Sequence, residues 1–149
     1  MELNYEPLLV CDEETLGKYW PYAGPLLQKC VDKVGGDVMD LGDMYNAILS
    51  GRAFLFIAKA DTVEGPDVKM AVLLEACVYP KLHSMNIVAL GGNELMLMHD
   101  KFWKALCGWM YMNGARAVEG LVSPAMERIV SKFGFTKTAV HVRMQLTGE

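Results

Sequence analysis

Apolar residues recur at helical spacing in the first third of the chain. From Pro25 to Val34, the residues Leu26, Leu27, Cys30, Val31 and Val34 share one face. The helical region runs from Asp12 to about Val34. Pro21 and the Gly24-Pro25 pair are expected to break or restart it, and Gly35-Gly36 to end it. A second helix follows Asp40, a good N-cap, with Asp43 favouring the first-turn dipole. Met44, Ala47 and Ile48 form its apolar face, and Gly51 marks its stop.

The period then changes. Ala53 to Ala60 (AFLFIAKA) is short, apolar and aromatic, as a strand is. Gly65-Pro66 lies in a hairpin loop, and Val68 to Tyr79 is the next strand, ended by Pro80. His83 to Leu90 is a third strand, stopped by Gly91-Gly92. Asn93 is a candidate cap for a helix from Glu94 to about Met112, which Asn113-Gly114 closes. Arg116 to Val122 reads as a strand. Ser123-Pro124 opens a helix through Phe133, because serine caps well and proline suits the first helical position. Phe135 to Leu146 holds a last strand, with Val140, Val142, Met144 and Leu146 on one face. The order is α-α-β-β-β-α-β-α-β. It predicts a single α/β domain over residues 1–149, a mixed central sheet flanked by helices.

Composition narrows the function classes. The net charge is −4, and no run of basic residues occurs, which argues against a nucleic-acid surface. No apolar stretch reaches the length of a membrane span, and the acidic start is unlike a signal peptide, so a cytoplasmic protein is expected. The four cysteines, Cys11, Cys30, Cys77 and Cys107, form no C-x-x-C pair and are expected as free thiols. Met96, Met98, Met110 and Met112 cluster on the long helix, as core filler or as an adaptable contact surface. Trp103 and Trp109 lie about 120° apart around that helix, so one is expected near the surface or an interface.

The segment SPAMERIVSKFGFTKTAVHVRMQL, in this element order, resembles the cofactor-binding half of the GNAT superfamily of N-acetyltransferases. Gly134-Phe135 match the family's Gly-Phe ending. Ser123 stands at its Asn place, Met126 at its Ala place and Val130 at its Tyr place. The run YPKLHSMNIVALGG followed by KFWKALCGWMYMNGA is similar to diverged GNAT-like proteins encoded by bacteriophages. The resemblance implies acetyl-CoA as cofactor, lying where two parallel strands splay apart. Val88, Ala89, Leu90, Gly91, Gly92, Asn93 and Ser123 would line its site. The family holds the pyrophosphate on backbone N–H groups at a helix start, with glycines allowing close approach. Gly91-Gly92 is thus either a degenerate phosphate cradle or a turn that needs glycine for its backbone. Val130 cannot supply the proton that the family's Tyr gives to the leaving thiolate, and Ser131 points about 100° further round the helix.

Transfer to an amine needs a base for the ammonium proton. Glu75, within an apolar strand, and His83, after Pro80-Lys81-Leu82, are the candidates; each has the alternative of facing solvent. Glu119 either faces the cleft or pairs with Arg116 or another basic residue. Two functions stay open. One is acyl-CoA-dependent transfer to an amine on a small molecule or protein. The other is a non-catalytic GNAT fold serving as a phage virion or host-interaction component, with a protein partner in the host cytoplasm or virion.

Overall fold

The computed structural model describes residues 4–34, 39–93, 99–122 and 124–148. Their elements are β1 (Glu6–Val10), α1 (Glu13–Val34), α2 (Leu41–Leu49), β2 (Ala53–Thr62), β3 (Gly65–Tyr79), β4 (Leu82–Gly92), α3 (Asp100–Met112), β5 (Ala117–Gly120) and α4 (Pro124–Ser131). They build one sheet in the order β1-β2-β3-β4-β5. The first three pairings are antiparallel, and β4 with β5 is parallel. Local chemistry accounts for the connections. The β2–β3 hairpin turns at Gly65 (φ 120), where the Thr62 hydroxyl donates to the Gly65 carbonyl at 2.6 Å. Parallel strands cannot join by a tight turn, so α3 carries the chain from β4 to β5.

Both faces of the central strands are covered. On one face Leu55, Ile57, Ala71, Leu73 and Ala89 pack beneath Leu16, Ala23 and Leu27 of α1 and Met44 and Ile48 of α2. On the other, Phe56, Met70, Val72, Leu74 and Met85 pack against Phe102, Leu106 and Met110 of α3 and Val130 of α4. Two-sided burial is why β2 and β3 read as continuous apolar runs rather than alternating ones. The half-buried Trp103 and Trp109 finish the second layer. Trp109 meets Phe54 edge-on at 5.1 Å between ring centres, and Trp103 meets Phe135 at 5.6 Å.

The mixed α/β architecture agrees with the expectation, and three elements differ. First, β1 was not expected. Its Pro7 sits on an edge strand, where a missing N–H costs no ladder bond. Second, α1 runs unbroken through Pro21 and Pro25. An internal proline costs about 3 kcal/mol, yet both face solvent while Leu16, Ala23, Leu27 and Val31 hold the opposite side against the sheet. Several fully buried side chains at about 1.5–3 kcal/mol each outweigh that cost. Capping helps as well, since Asp12 accepts from the Thr15 N–H at 2.7 Å and its hydroxyl at 2.9 Å. Third, residues 135–148 carry no strand. Among the described residues no strand pairs with them.

Helix positions shift in detail. The long helix is described from Asp100, with His99 as N-cap accepting from the Lys101 N–H. The residues that Asn93 would cap, 94–98, lie outside those described, and so do Met96 and Met98. At α2 the expected cap is present as a reciprocal box. Asp40 accepts from the Asp43 N–H at 2.8 Å and Asp43 from the Asp40 N–H at 3.0 Å.

Gly91 fixes how closely α1 lies on the sheet. A Cβ there would sit 2.0 Å from the Leu26 carbonyl oxygen and 3.1 Å from the Leu27 nitrogen. The obstacle is helix backbone, which cannot rotate aside. Gly91→Ala is therefore expected to cost about 3 kcal/mol or more, the upper range for overpacking. Thermal unfolding checks this, and an unchanged melting temperature would contradict it.

Candidate functional site

The site begins with one extra residue in β4. Leu73 pairs with Ala89 but Leu74 with Ile87, so Val88 is a β-bulge. Its effect shows in the packing, where the consecutive Val88 and Ala89 both join the cluster under α1 and α2. Pairing with β5 stops at the same point, since Ile87 opposite Gly120 is the last register pair. Beyond it, among the described residues, β4 continues to Gly92 paired with β3 alone, and the two parallel strands fork.

The exposed backbone at this fork can be assigned. The Asn93 N–H donates to the Lys69 carbonyl at 2.7 Å, which sets the phase of the β3–β4 ladder. Alternation then turns the peptide groups of Leu90 and Gly92 away from β3, toward the side β5 has left. Gly91 and Gly92 are strand residues and not a turn after it. Gly91 is demanded by the backbone of α1. Gly92 is demanded by its φ of 91 and by the Lys69 carbonyl, 2.2 Å from where a Cβ would stand. Ser123 lies outside the described residues.

On the α2 face a cleft of about 460 Å³ reaches Val88. Asp43, Asn46 and Ala47 of α2, Arg52, Ala53, Leu73 and Glu75 line it with Val88 and Met39. Glu75 is exposed, and among the described residues its carboxylate makes no hydrogen bond or ion pair. The Arg52 Nε donates to the Ser50 hydroxyl at 3.0 Å, which holds the guanidinium at the rim. The structure thus brings Glu75 and Val88 to one cleft. It does not bring His83 there. His83, the second residue of β4, lies on the opposite face, half-buried, with its Nδ1 3.1 Å from where a Cβ on Gly114 would stand.

Next to the cleft the sheet carries a polar row. Glu75, Asn86 and Glu119 stand opposite one another across β3, β4 and β5. Among the described residues Glu119 has no basic partner, contrary to the expected ion pair; it accepts from the Tyr79 hydroxyl. Arg116 turns elsewhere, donating to the Tyr111 and Ala115 carbonyls and stacking on the Tyr111 ring at 4.0 Å. The bond to Glu119 holds the Tyr79 phenol up at about 12, with desolvation adding. Burial pushes the Cys77 thiol up, and the Glu119 and Glu75 carboxylates push it further, so Cys77 stays protonated and is a poor nucleophile.

The remaining candidates have structural places. Val130 is buried in the α3/α4 layer, so no hydroxyl stands there. The Ser131 hydroxyl donates to the Arg128 carbonyl at 2.9 Å. Asp43, Asn46 and Arg52 were missed as cleft residues. The only sequence signal for them was the Asp40/Asp43 cap that places α2. The Val88 bulge had no sequence signal.

This five-stranded mixed sheet with a forked parallel pair is the GNAT acetyltransferase fold. Solved structures match it over nearly the whole chain. The aminoglycoside N-acetyltransferase AAC(6')-Iy, in complex with CoA, shares 13% identity at a TM-score of 0.67, covering 98% of this chain and 97% of that one. A probable acetyltransferase shares 9% at 0.68, covering 97% and 99%. An acetyltransferase of Trypanosoma brucei shares 13% at 0.65, covering 96% and 100%. No family profile matches the sequence, and no curated protein is similar to it. Among the described residues no helix is long and apolar enough to cross a membrane.

The Tyr79–Glu119 bond has a pH consequence. Tyr79 ionises near 12 in the folded chain against 10.0 ordinarily. A raised folded value means the contribution to stability is whole below the ordinary value and is lost as pH climbs through the folded one. Tyr5, half-buried and bonded to Asp67, is likewise raised to about 12, by desolvation first and the Asp67 bond second. Of six tyrosines, two should ionise late in an absorbance titration, and Glu119→Gln should return one of them toward the ordinary range. Late ionisation unchanged by that substitution would contradict the assignment.

Proposed function

We propose that this protein is an acyl-CoA-dependent N-acyltransferase that moves an acetyl group to an amine. The observation that carries the reading is the fork itself. β4 leaves β5 after Ile87, and the bulge residue Val88 connects the fork to the cleft holding Glu75. The unpaired edge of β4 fits the amide-bearing arm of acetyl-CoA. Leu90 and Gly92 offer it N–H and C=O groups at the spacing of a neighbouring strand. When bound, the cofactor supplies an acyl group activated as a thioester. The similarity to a CoA-bound acetyltransferase at 13% identity supports the fold, while the chemistry rests on this chain's own residues.

Each residue has a definite task. The backbone N–H groups around Val88 to Leu90 polarise the acyl carbonyl, a form of stabilisation that needs main chain only. The Glu75 carboxylate takes the proton from the incoming ammonium, directly or through water, so that the amine attacks as a neutral base. Asp43 and Glu75 give the cleft two carboxylates against the single guanidinium of Arg52, which favours a cationic acceptor. The acceptor side therefore opens on the α2 face and the cofactor side on the β5 edge. His83, on the far face, has no part in the transfer.

One observation favours a second reading. Val130 fills core volume where a proton-donating hydroxyl would be needed, as a GNAT fold kept for protein contact would allow. Its partner would be a virion component or a host protein. The two readings separate in solution. Calorimetry should detect acetyl-CoA binding, and Glu75→Gln should keep that binding while lowering acetylation of an amine panel on the order of 10²-fold or more. Absence of binding at millimolar acetyl-CoA would overturn the transferase reading. Turnover unaffected by Glu75→Gln would remove Glu75 from it.

A further inference from the structure

We propose that the cleft on the α2 face binds a dibasic amino acid, with one carboxylate and two ammonium groups, as the acceptor. The inference rests on the transferase reading and goes beyond it by naming the acceptor's class. Two opposite charges that do not pair point to it. Arg52 and Glu75 line the same cleft, and Ala53, next to Arg52, stands opposite Glu75 in the β2–β3 ladder. Yet the two form no ion pair; among the described residues the single salt bridge joins Lys59 to Asp61.

Each charge is left for a ligand. The Arg52 Nε donates to the Ser50 hydroxyl at 3.0 Å, which in turn donates to the Ala47 carbonyl at 3.1 Å. The Arg52 backbone N–H donates to the same carbonyl at 2.9 Å. One side of the guanidinium is thus tied to the end of α2, and among the described residues its Nη groups make no hydrogen bond or ion pair. Paired N–H groups on a planar fork match a carboxylate. Glu75 is exposed and equally unpaired, and it suits an ammonium.

The third charge stands at the other end of α2. Asp43 is in the first turn of the helix, about 10 Å along its axis from the Ser50 cap that holds Arg52. Its Oδ2 accepts from the Asp40 N–H at 3.0 Å, which fixes the carboxylate and leaves Oδ1 for a ligand. Ala47, Leu73 and Val88 give the same cleft an apolar wall. The head of an α-amino acid carries ammonium and carboxylate on one carbon, and so spans Glu75 and Arg52. An aliphatic side chain ending in a second ammonium then follows the apolar wall toward Asp43. The charges balance, since two carboxylates against one guanidinium leave one net negative charge and a dibasic amino acid carries one net positive charge. A simple amine would leave Arg52 uncovered, and an acidic amino acid would bring a second carboxylate to a cleft that already has two.

In the transfer, Glu75 takes one proton from the α-ammonium and passes it to water. The freed nitrogen pair forms the C–N bond to the acyl carbon as the C–S bond breaks. A second proton leaves the nitrogen and reaches the sulfur through water, giving an amide and a thiol.

Amide shifts of the labelled protein titrated with L-lysine, in buffer containing coenzyme A, test the assignment. Saturable changes at Asn46, Arg52 and Glu75 are expected. Cadaverine lacks only the carboxylate and norleucine only the second ammonium; each should bind about tenfold more weakly or worse. Arg52→Gln should cancel the preference for lysine over cadaverine, and Arg52→Lys should keep part of it. Arg52 is exposed, so neither substitution removes a core contact. Equal binding of lysine and cadaverine, or changes confined to residues outside the cleft, would overturn the proposal even where other amines are acetylated. Lysine bound as expected but left unacetylated would uphold the cleft as an amino-acid site and overturn the transferase reading instead.

Discussion

An antiparallel ladder alternates strictly, so a single inserted residue reverses every side chain and peptide group beyond it. Val88 is that residue in β4. Before it, Met85 and Ile87 belong to the α3/α4 layer; at it, Val88 and Ala89 both fall under α1 and α2. The bulge bends β4 where its pairing with β5 ends, and the backbone of Leu90 and Gly92 turns to the gap. Gly91 keeps the bent segment in place, since it is the only residue type that lets the α1 backbone lie against it. Fork, cleft and helix placement all follow from these few residues.

Much of the architecture was legible in the chain. The apolar runs of β2 and β3, the Asp40 cap of α2, the helical face around Leu106 and Met110 and the Gly134-Phe135 ending each carry their own local reason. What sequence patterns missed has physical causes too. Prolines stop a helix only when nothing outweighs them, and α1 has a continuous buried face that does. β1 is short and half-exposed, so its alternation is too brief to register. The alternation from Val140 to Leu146 predicted a strand, but a pattern forms a strand only where an edge takes it up, and no strand is present there.

The candidate site was harder to read. Glu75 was recognisable as a carboxylate in an apolar strand, yet its exposure depends on where α2 stops covering the sheet. His83 looked equally eligible because strand parity across a bulged hairpin decides its face. Glu119 was expected to meet a cation. It meets Tyr79 because Arg116 is taken up by the carbonyls of Tyr111 and Ala115. Val130 fills core volume that asks only for an apolar side chain.

The central claim is that the forked edge of β4 receives an acyl-CoA. Amide chemical shifts recorded during titration of the labelled protein with acetyl-CoA address it directly. The account predicts the largest changes at Val88, Leu90 and Gly92 and across the gap at Glu119 and Gly120, with little change at His83. Saturable binding that leaves the Leu90 and Gly92 amides unmoved would contradict it.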